Sequence, residues 1–206
     1  MPVQDTVLAL DLFGTMAFAV TGAFKAIEHK ADIVGIIILA TITGVAGGTI
    51  RDVVLGHFPP HSVSDPYYVV ITVATAVAIF FLYPRLQGHW NLFLKFDAIG
   101  LGVFTAIGST FAYEAYGMNF LAICLGGMMT AIGGGILRDV FVNEMPLVFE
   151  KELYASASFA GVVVFFLFLG AGFNLEFAGI ISIVAATSLR LVAMKYNWNL
   201  PKARER

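Results

Sequence analysis

The chain has 206 residues, 59% of them hydrophobic and 13% charged, with a formal net charge of -2 and a mean hydropathy of +0.85. A soluble domain carries roughly twice that charged share, so the composition excludes a water-soluble globular fold and points to a surface that is mostly in lipid. No basic patch suggests a nucleic-acid partner, and the single cysteine, Cys124, excludes an internal disulfide.

A helix needs about 20 mostly apolar residues to cross the hydrocarbon core, and seven segments qualify, at about 6–25, 33–55, 67–83, 97–113, 118–142, 153–173 and 177–193. The first is interrupted only by Asp11, and no basic stretch precedes it, so it reads as a permanent span rather than a cleaved signal. Pro59, Pro60, Pro66, Pro84 and Pro146 fall at span ends, where a missing N–H is tolerated. Tyr67, Tyr68, Tyr83, Trp90, Tyr113, Tyr116, Tyr196 and Trp198 also cluster there, as an interfacial aromatic belt does.

Lys and Arg in the loops set the orientation. With the N-terminus outside, the inner loops hold Lys25, Lys30, Arg85, Lys95 and Lys151, and the inner tail holds Lys195, Lys202, Arg204 and Arg206. The outer loops then hold Asp65, Glu114 and Glu176. The expectation is an N-terminus outside and a C-terminus in the cytoplasm.

The chain repeats itself. Asp11-Leu12-Phe13-Gly14 is echoed by Asp97-Ala98-Ile99-Gly100, and Phe18 and Gly22 by Phe104 and Gly108, at a shift of 86. Gly47-Gly48-Thr49-Ile50-Arg51-Asp52 is echoed by Gly134-Gly135-Ile136-Leu137-Arg138-Asp139 at a shift of 87, as are Pro59 by Pro146 and Tyr67 by Tyr154. Each copy holds three spans, an odd number, so the second copy enters the membrane from the opposite side. The expected architecture is all-α and integral to the membrane. It forms one domain over residues 1–206, with seven transmembrane helices as two inverted three-helix repeats, about 6–83 and 96–173, plus a seventh helix at about 176–196.

Gly44, Gly47 and Gly48 lie in the second span, and Gly133, Gly134 and Gly135 in the fifth. Each glycine costs a helix about 1 kcal/mol relative to alanine. The sequence therefore predicts second and fifth helices broken at glycines, with freed carbonyls that can replace part of a cation's hydration shell. Close helix packing is the alternative use of such residues, and Gly44-x-x-x-Gly48 fits it.

Asp11, Arg51, Asp52, Asp97, Arg138 and Asp139 are charges within or at the edge of spans, where an unpaired charge costs roughly 2.5–3.5 kcal/mol. Asp11 and Arg51 fall at similar depth, as do Asp97 and Arg138, which predicts two symmetry-related ion pairs. The adjacent Arg51-Asp52 and Arg138-Asp139 are poorly placed to face each other on a helix. The alternative has both Arg side chains reaching for the interface and Asp52 and Asp139 capping loops. Thr15, Thr21, Thr43, Thr49, Thr105, Ser109 and Thr130 supply hydroxyls for a polar route, although each can instead bond its own helix backbone. His29, His57, His61 and His89 are scattered, with no clustered ligands for a structural metal and no phosphate-binding loop, so neither an enzyme nor a nucleotide-driven pump is indicated.

At its two glycine–arginine–aspartate motifs, in the second and fifth spans, the chain resembles the prokaryotic branch of the trimeric intracellular cation (TRIC) channel family, and the resemblance extends over all seven spans. It implies a homotrimer in the inner membrane of a prokaryote. Each protomer would pass potassium, and sodium as well, through its own pore lined by the first, second, fourth and fifth spans, with membrane lipid as the surrounding partner and no cofactor. In animal members a phosphoinositide binds basic residues after the first glycine motif, whereas here Arg51 is followed by Asp52. The same bacterial domain is also called a glycine transporter, which keeps a small-solute secondary carrier as the alternative. A membrane assembly protein whose glycines only pack is a third reading.

Overall fold

A computed structural model describes residues 2–86, 90–150 and 153–198. His89, Lys151, Lys202, Arg204 and Arg206 lie outside the described residues. The described residues form nine helices: α1 (Pro2–Glu28), α2 (Ile33–Leu55), α3 (His61–Ser64), α4 (Tyr67–Leu86), α5 (Trp90–Tyr116), α6 (Phe120–Phe141), α7 (Leu147–Glu150), α8 (Tyr154–Gly170) and α9 (Leu175–Tyr196). Six of them are long and apolar enough to cross a membrane, and α8, with 17 residues, is at the lower limit of a span.

α1 and α5 extend further than hydropathy suggests, while α6 and α8 are shorter than their expected spans. α1 continues to Glu28 and α5 begins at Trp90, so Lys25 and Lys95 belong to helices rather than loops, and Asp97 lies about two turns inside α5. Polar side chains set several starts. Asp32 accepts from the Gly35 N–H at 2.8 Å, Asn119 from the Ala122 N–H at 3.1 Å and Asn174 from the Phe177 N–H at 2.8 Å, each satisfying an otherwise orphaned donor.

α1, α2 and α4 pack together, as do α5, α6 and α8; α1 on α5 and α2 on α6 join the two trios, and α9 lies on α5 and α8. The repeat register is clearer in the hydrogen bonds than in the sequence. The shift is 86 between α1 and α5. It becomes 87 from the left-handed residues Lys30 and Gly117 through the left-handed pair Gly56 and Asn143. It then returns to 86. Val63 N–H donates to the Pro60 carbonyl at 3.0 Å, and Phe149 N–H to the Pro146 carbonyl at 2.9 Å. Pro146 thus answers to Pro60, not Pro59, and Tyr154 answers to Tyr68, not Tyr67. The first repeat has one extra residue in the turn after α2, where its pattern of prolines and paired tyrosines hides the change. The consequence is visible in burial: Tyr67 is 63% exposed, whereas Tyr68 is 4% and Tyr154 2% exposed.

The expected breaks at glycines are absent: α2 and α6 run uninterrupted through Gly44, Gly47 and Gly48 and through Gly133, Gly134 and Gly135. Close packing explains the glycines instead. A Cβ on Gly47 would stand 2.2 Å from the Thr130 carbonyl oxygen, and one on Gly134 would stand 2.4 Å from the Thr43 carbonyl oxygen. These are the same contact, made twice by the repeat, and they let α2 and α6 touch backbone to backbone. Gly44 similarly admits the Thr15 carbonyl, and Gly133 the Ile50 side chain. At the centre Phe18 and Phe104, equivalent residues, meet edge to face at 5.2 Å, each ring pressed onto a glycine of the other repeat, Gly100 and Gly14 respectively.

Candidate functional site

Two buried polar clusters occupy equivalent places in the two repeats. In the first, Arg51 in the last turns of α2 donates from Nη1 to Asp11 Oδ2 of α1 at 3.4 Å and from Nε to Asp52 Oδ1 at 2.9 Å. Asp11 Oδ2 also accepts from the Tyr68 hydroxyl of α4 at 2.8 Å. The guanidinium lies 3.8 Å from the centre of the Phe111 ring, on whose face a cation is attracted. In the second, Arg138 of α6 donates from Nη1 to Asp97 Oδ1 of α5 at 2.7 Å and from Nε to Asp139 Oδ1 at 2.8 Å. The same Nη1 donates to the Thr21 hydroxyl at 2.8 Å, and the guanidinium lies 4.8 Å from the Phe93 ring centre. Tyr154 of α8 stands beside Asp97 and Arg138.

The structure therefore brings Asp11 to Arg51 and Asp97 to Arg138. It also corrects the expectation that each Arg and the following Asp are poorly placed to face each other. An arginine side chain is long enough to fold back along the helix end and reach the next residue's carboxylate. The second oxygen of each carboxylate holds the following short helix: Asp52 Oδ2 accepts from the His61 N–H at 2.8 Å, and Asp139 Oδ2 from the Leu147 N–H at 3.0 Å. Ion pairing and loop capping are thus combined in one group. Taking these charges out of water is tolerable because each carboxylate has a cation, and Asp11, Asp52 and Asp139 each have a further donor as well. Asp11 Oδ1 and Asp97 Oδ2 keep no hydrogen-bond partner, a matched pair of buried carboxylate oxygens.

The hydroxyls largely serve their own helices. Thr43 donates to the Leu39 carbonyl and Thr130 to the Gly126 carbonyl, both at 2.6 Å, Thr105 to Leu101 at 2.7 Å, Thr49 to Val45 at 2.9 Å and Thr21 to Phe18 at 2.8 Å. Thr105 also pairs with Ser158, and Thr49 with Ser62. Thr15 and Ser109 are buried, Ser109 Oγ without a partner.

Three features escaped the sequence reading. Arg190 of α9 is fully buried, its guanidinium 4.8 Å from the Tyr154 ring centre, so the helix outside the repeat adds a second cation beside the second cluster. An arginine within the last apolar span was the available signal. Tyr68, grouped by sequence with the interfacial aromatics, is a ligand of Asp11. Lys25, assigned to a loop, is buried at the end of α1 and pairs with Glu144.

Fold and clusters together define an integral membrane protein of two duplicated three-helix units joined face to face, with a paired charge cluster in each. The duplication has its counterpart in the family described as glycine transporter, which matches residues 8–84 and again 94–170. Among relatives, the UPF0126 inner membrane protein YadS of Escherichia coli K12 is 36% identical over 198 residues, 93% of each chain. The UPF0126 membrane protein YvgT of Bacillus subtilis is 34% identical over 195 residues, 93% of this chain and 94% of that one. Among solved structures, the TRIC channel orthologue of Rhodobacter sphaeroides is 34% identical with a TM-score of 0.89, covering 93% of this chain and 98% of its own. A prokaryotic TRIC channel in 0.5 M KCl is 31% identical at the same TM-score, covering 96% and 100%. The chain belongs to the UPF0126 family of membrane proteins, the prokaryotic branch of the trimeric intracellular cation channels.

Proposed function

We propose that the protein is a passive cation channel of a prokaryotic inner membrane, a homotrimer in which each protomer passes potassium and sodium. The likeness to prokaryotic TRIC channels over nearly the whole chain carries this reading. The paired clusters support it: each holds intramembrane charges as ion pairs inside the bundle, a placement that marks ion pathways. Lys30, Arg85 and Lys195 against Asp65, Glu114 and Glu176 support an N-terminus outside and a C-terminus in the cytoplasm. On this reading the uninterrupted α2 and α6 and the Phe18–Phe104 contact between the repeats correspond to a closed state. Glycine transport has the family's description behind it and nothing in the clusters.

Purified protein in a planar bilayer under a KCl gradient tests the proposal. Step-like currents reversing near the potassium equilibrium potential are expected. No current, with saturable glycine uptake into proteoliposomes, would replace the channel by a carrier.

A further inference from the structure

The repeat builds one contact twice and gives it different chemistry at the two ends. At one end Lys25, in the last turn of α1, pairs with Glu144 in the turn between α6 and α7. The equivalent residues at the other end are Phe111 and His57, which meet edge to face at 6.2 Å. The same backbone arrangement is ionic at one end and aromatic at the other.

His29 completes the ionic end. Its Nε2 lies 3.2 Å from Glu144 Oε1 and its Nδ1 3.0 Å from the Lys25 carbonyl oxygen. Both neighbours only accept. A neutral imidazole has one N–H and one lone pair, so it can serve one neighbour and must turn a lone pair toward the other. The imidazolium donates to both. The other oxygen of Glu144 accepts from the Lys25 ammonium, which leaves the carboxylate between two nitrogen donors. Glu28 of α1 is a further charged group nearby, with Tyr83 of α4 beside it, and Lys30 and Asp32 follow in the turn to α2, Asp32 capping that helix at Gly35. The walls contributed by α2 and the end of α6 surround a cleft of about 430 Å³. There they present Gly35, Ile38, Leu39, Ile42, Phe141 and Asn143, none of them ionisable. The cleft leaves the ring 39% exposed, so protons have access to it.

The contact is mechanically continuous with the second cluster. Glu144 N–H donates to the Asp139 carbonyl at 2.9 Å. The Lys25 ammonium and the Arg138 guanidinium lie 5.7 and 4.8 Å from the centre of one ring, that of Phe93. We propose that His29 is a proton-binding site that, when charged, adds a second strut from the end of α1 to the α6–α7 turn beside the Lys25–Glu144 pair and, when neutral, withdraws it, so that the latch tightens and loosens with protonation. The second cluster is thereby tied to the pH on its own side of the membrane. At the first cluster Phe111 and His57 stand in place of Lys25 and Glu144, and its own histidine contact is a different one, His61 Nδ1 at 3.0 Å from Asp52 Oδ2. The latch rests on the channel reading for any effect on current, and not for its own formation.

The test uses full-length protein in lipid nanodiscs with Cys124→Ala and one nitroxide at Met145, an exposed position in the same turn. Between about pH 8 and about pH 5.5, the range in which histidine charges, the spectrum should shift toward an immobilised label. His29→Gln and, separately, Glu144→Gln should each abolish the shift while leaving helical content unchanged. A label with the same pH response in both variants, or none in the parent protein, overturns the latch. In bilayers, acidification on the Lys25 side alone should change open probability. Absence of any current counts against the channel reading, while the label still decides the latch.

Discussion

Arg138 donates to Asp97 at 2.7 Å while neither side chain has more than 1% of its surface exposed. A buried pair of this kind contributes little net stability compared with an apolar replacement of both partners, but losing one partner strands the other. Arg138→Met should therefore destabilise the protein by about 3–5 kcal/mol. It takes from Asp97 and Asp139 the guanidinium that pairs with both, and Arg138→Met with Asp97→Asn should recover part of the loss. Thermal unfolding in detergent, followed by size-exclusion profiles, measures both. Equal stability of the single variant and the parent would remove the cluster from any structural role.

Tyr68 and Tyr67 separate the two possible repeat registers. Tyr68→Phe removes the hydroxyl that donates to Asp11 and should cost about 1–3 kcal/mol, because a buried acceptor loses a partner. Tyr67→Phe, at an exposed site, should stay within about 0.5 kcal/mol. A larger effect at Tyr67 than at Tyr68 would restore the shift of 87 that the sequence suggested from the glycine motif onward.

How far the sequence reached can be argued from these residues. Pairing of Asp11 with Arg51 was legible because helix rise converts span position into depth, and charges at equal depth in lipid find each other. The Arg51–Asp52 bond was not, since helix-face geometry describes where Cβ atoms point and not where a flexible four-bond side chain ends. Tyr68 was hidden by its neighbour Tyr67: a one-residue insertion in a turn leaves both tyrosines plausible. Glycines in a span are ambiguous in principle, because the same missing Cβ permits a break or a close approach, and only the facing helix decides. Here α6 and α2 face each other, and approach wins.

The glycine motifs should divide by position. Gly47→Ala and Gly134→Ala place a methyl against a carbonyl oxygen of the opposite helix, at 2.2 and 2.4 Å, and neither backbone can yield without parting α2 from α6. Both should fall among overpacked variants, losing about 1–3 kcal/mol or more. Gly48→Ala meets only the Arg51 guanidinium at 3.6 Å and should be neutral or gain up to about 1 kcal/mol from helix propensity. Yield of folded protein and unfolding temperature read the difference. Similar losses at Gly47 and Gly48 would favour a hinge over packing.

Phe18→Ala should destabilise by about 3–5 kcal/mol, since the ring is fully buried against Phe104, Gly100 and Gly134. Under the channel reading it should also raise open probability in bilayer recordings, because the truncated side chain leaves the centre of the bundle unfilled. A destabilised variant with unchanged open probability would move the seal elsewhere.

Asp52 grips Arg51 with one oxygen and the first amide of α3 with the other, and Asp139 does the same for Arg138 and α7. A carboxylate used in both directions acts as a rivet. Neither α2 nor α6 can tilt without dragging the short helix behind it, so the smallest rigid body free to shift in either half is a span plus the short helix that follows it. Any transition between sealed and conducting forms would then appear in the surface turns as clearly as in the interior, where a probe can follow it.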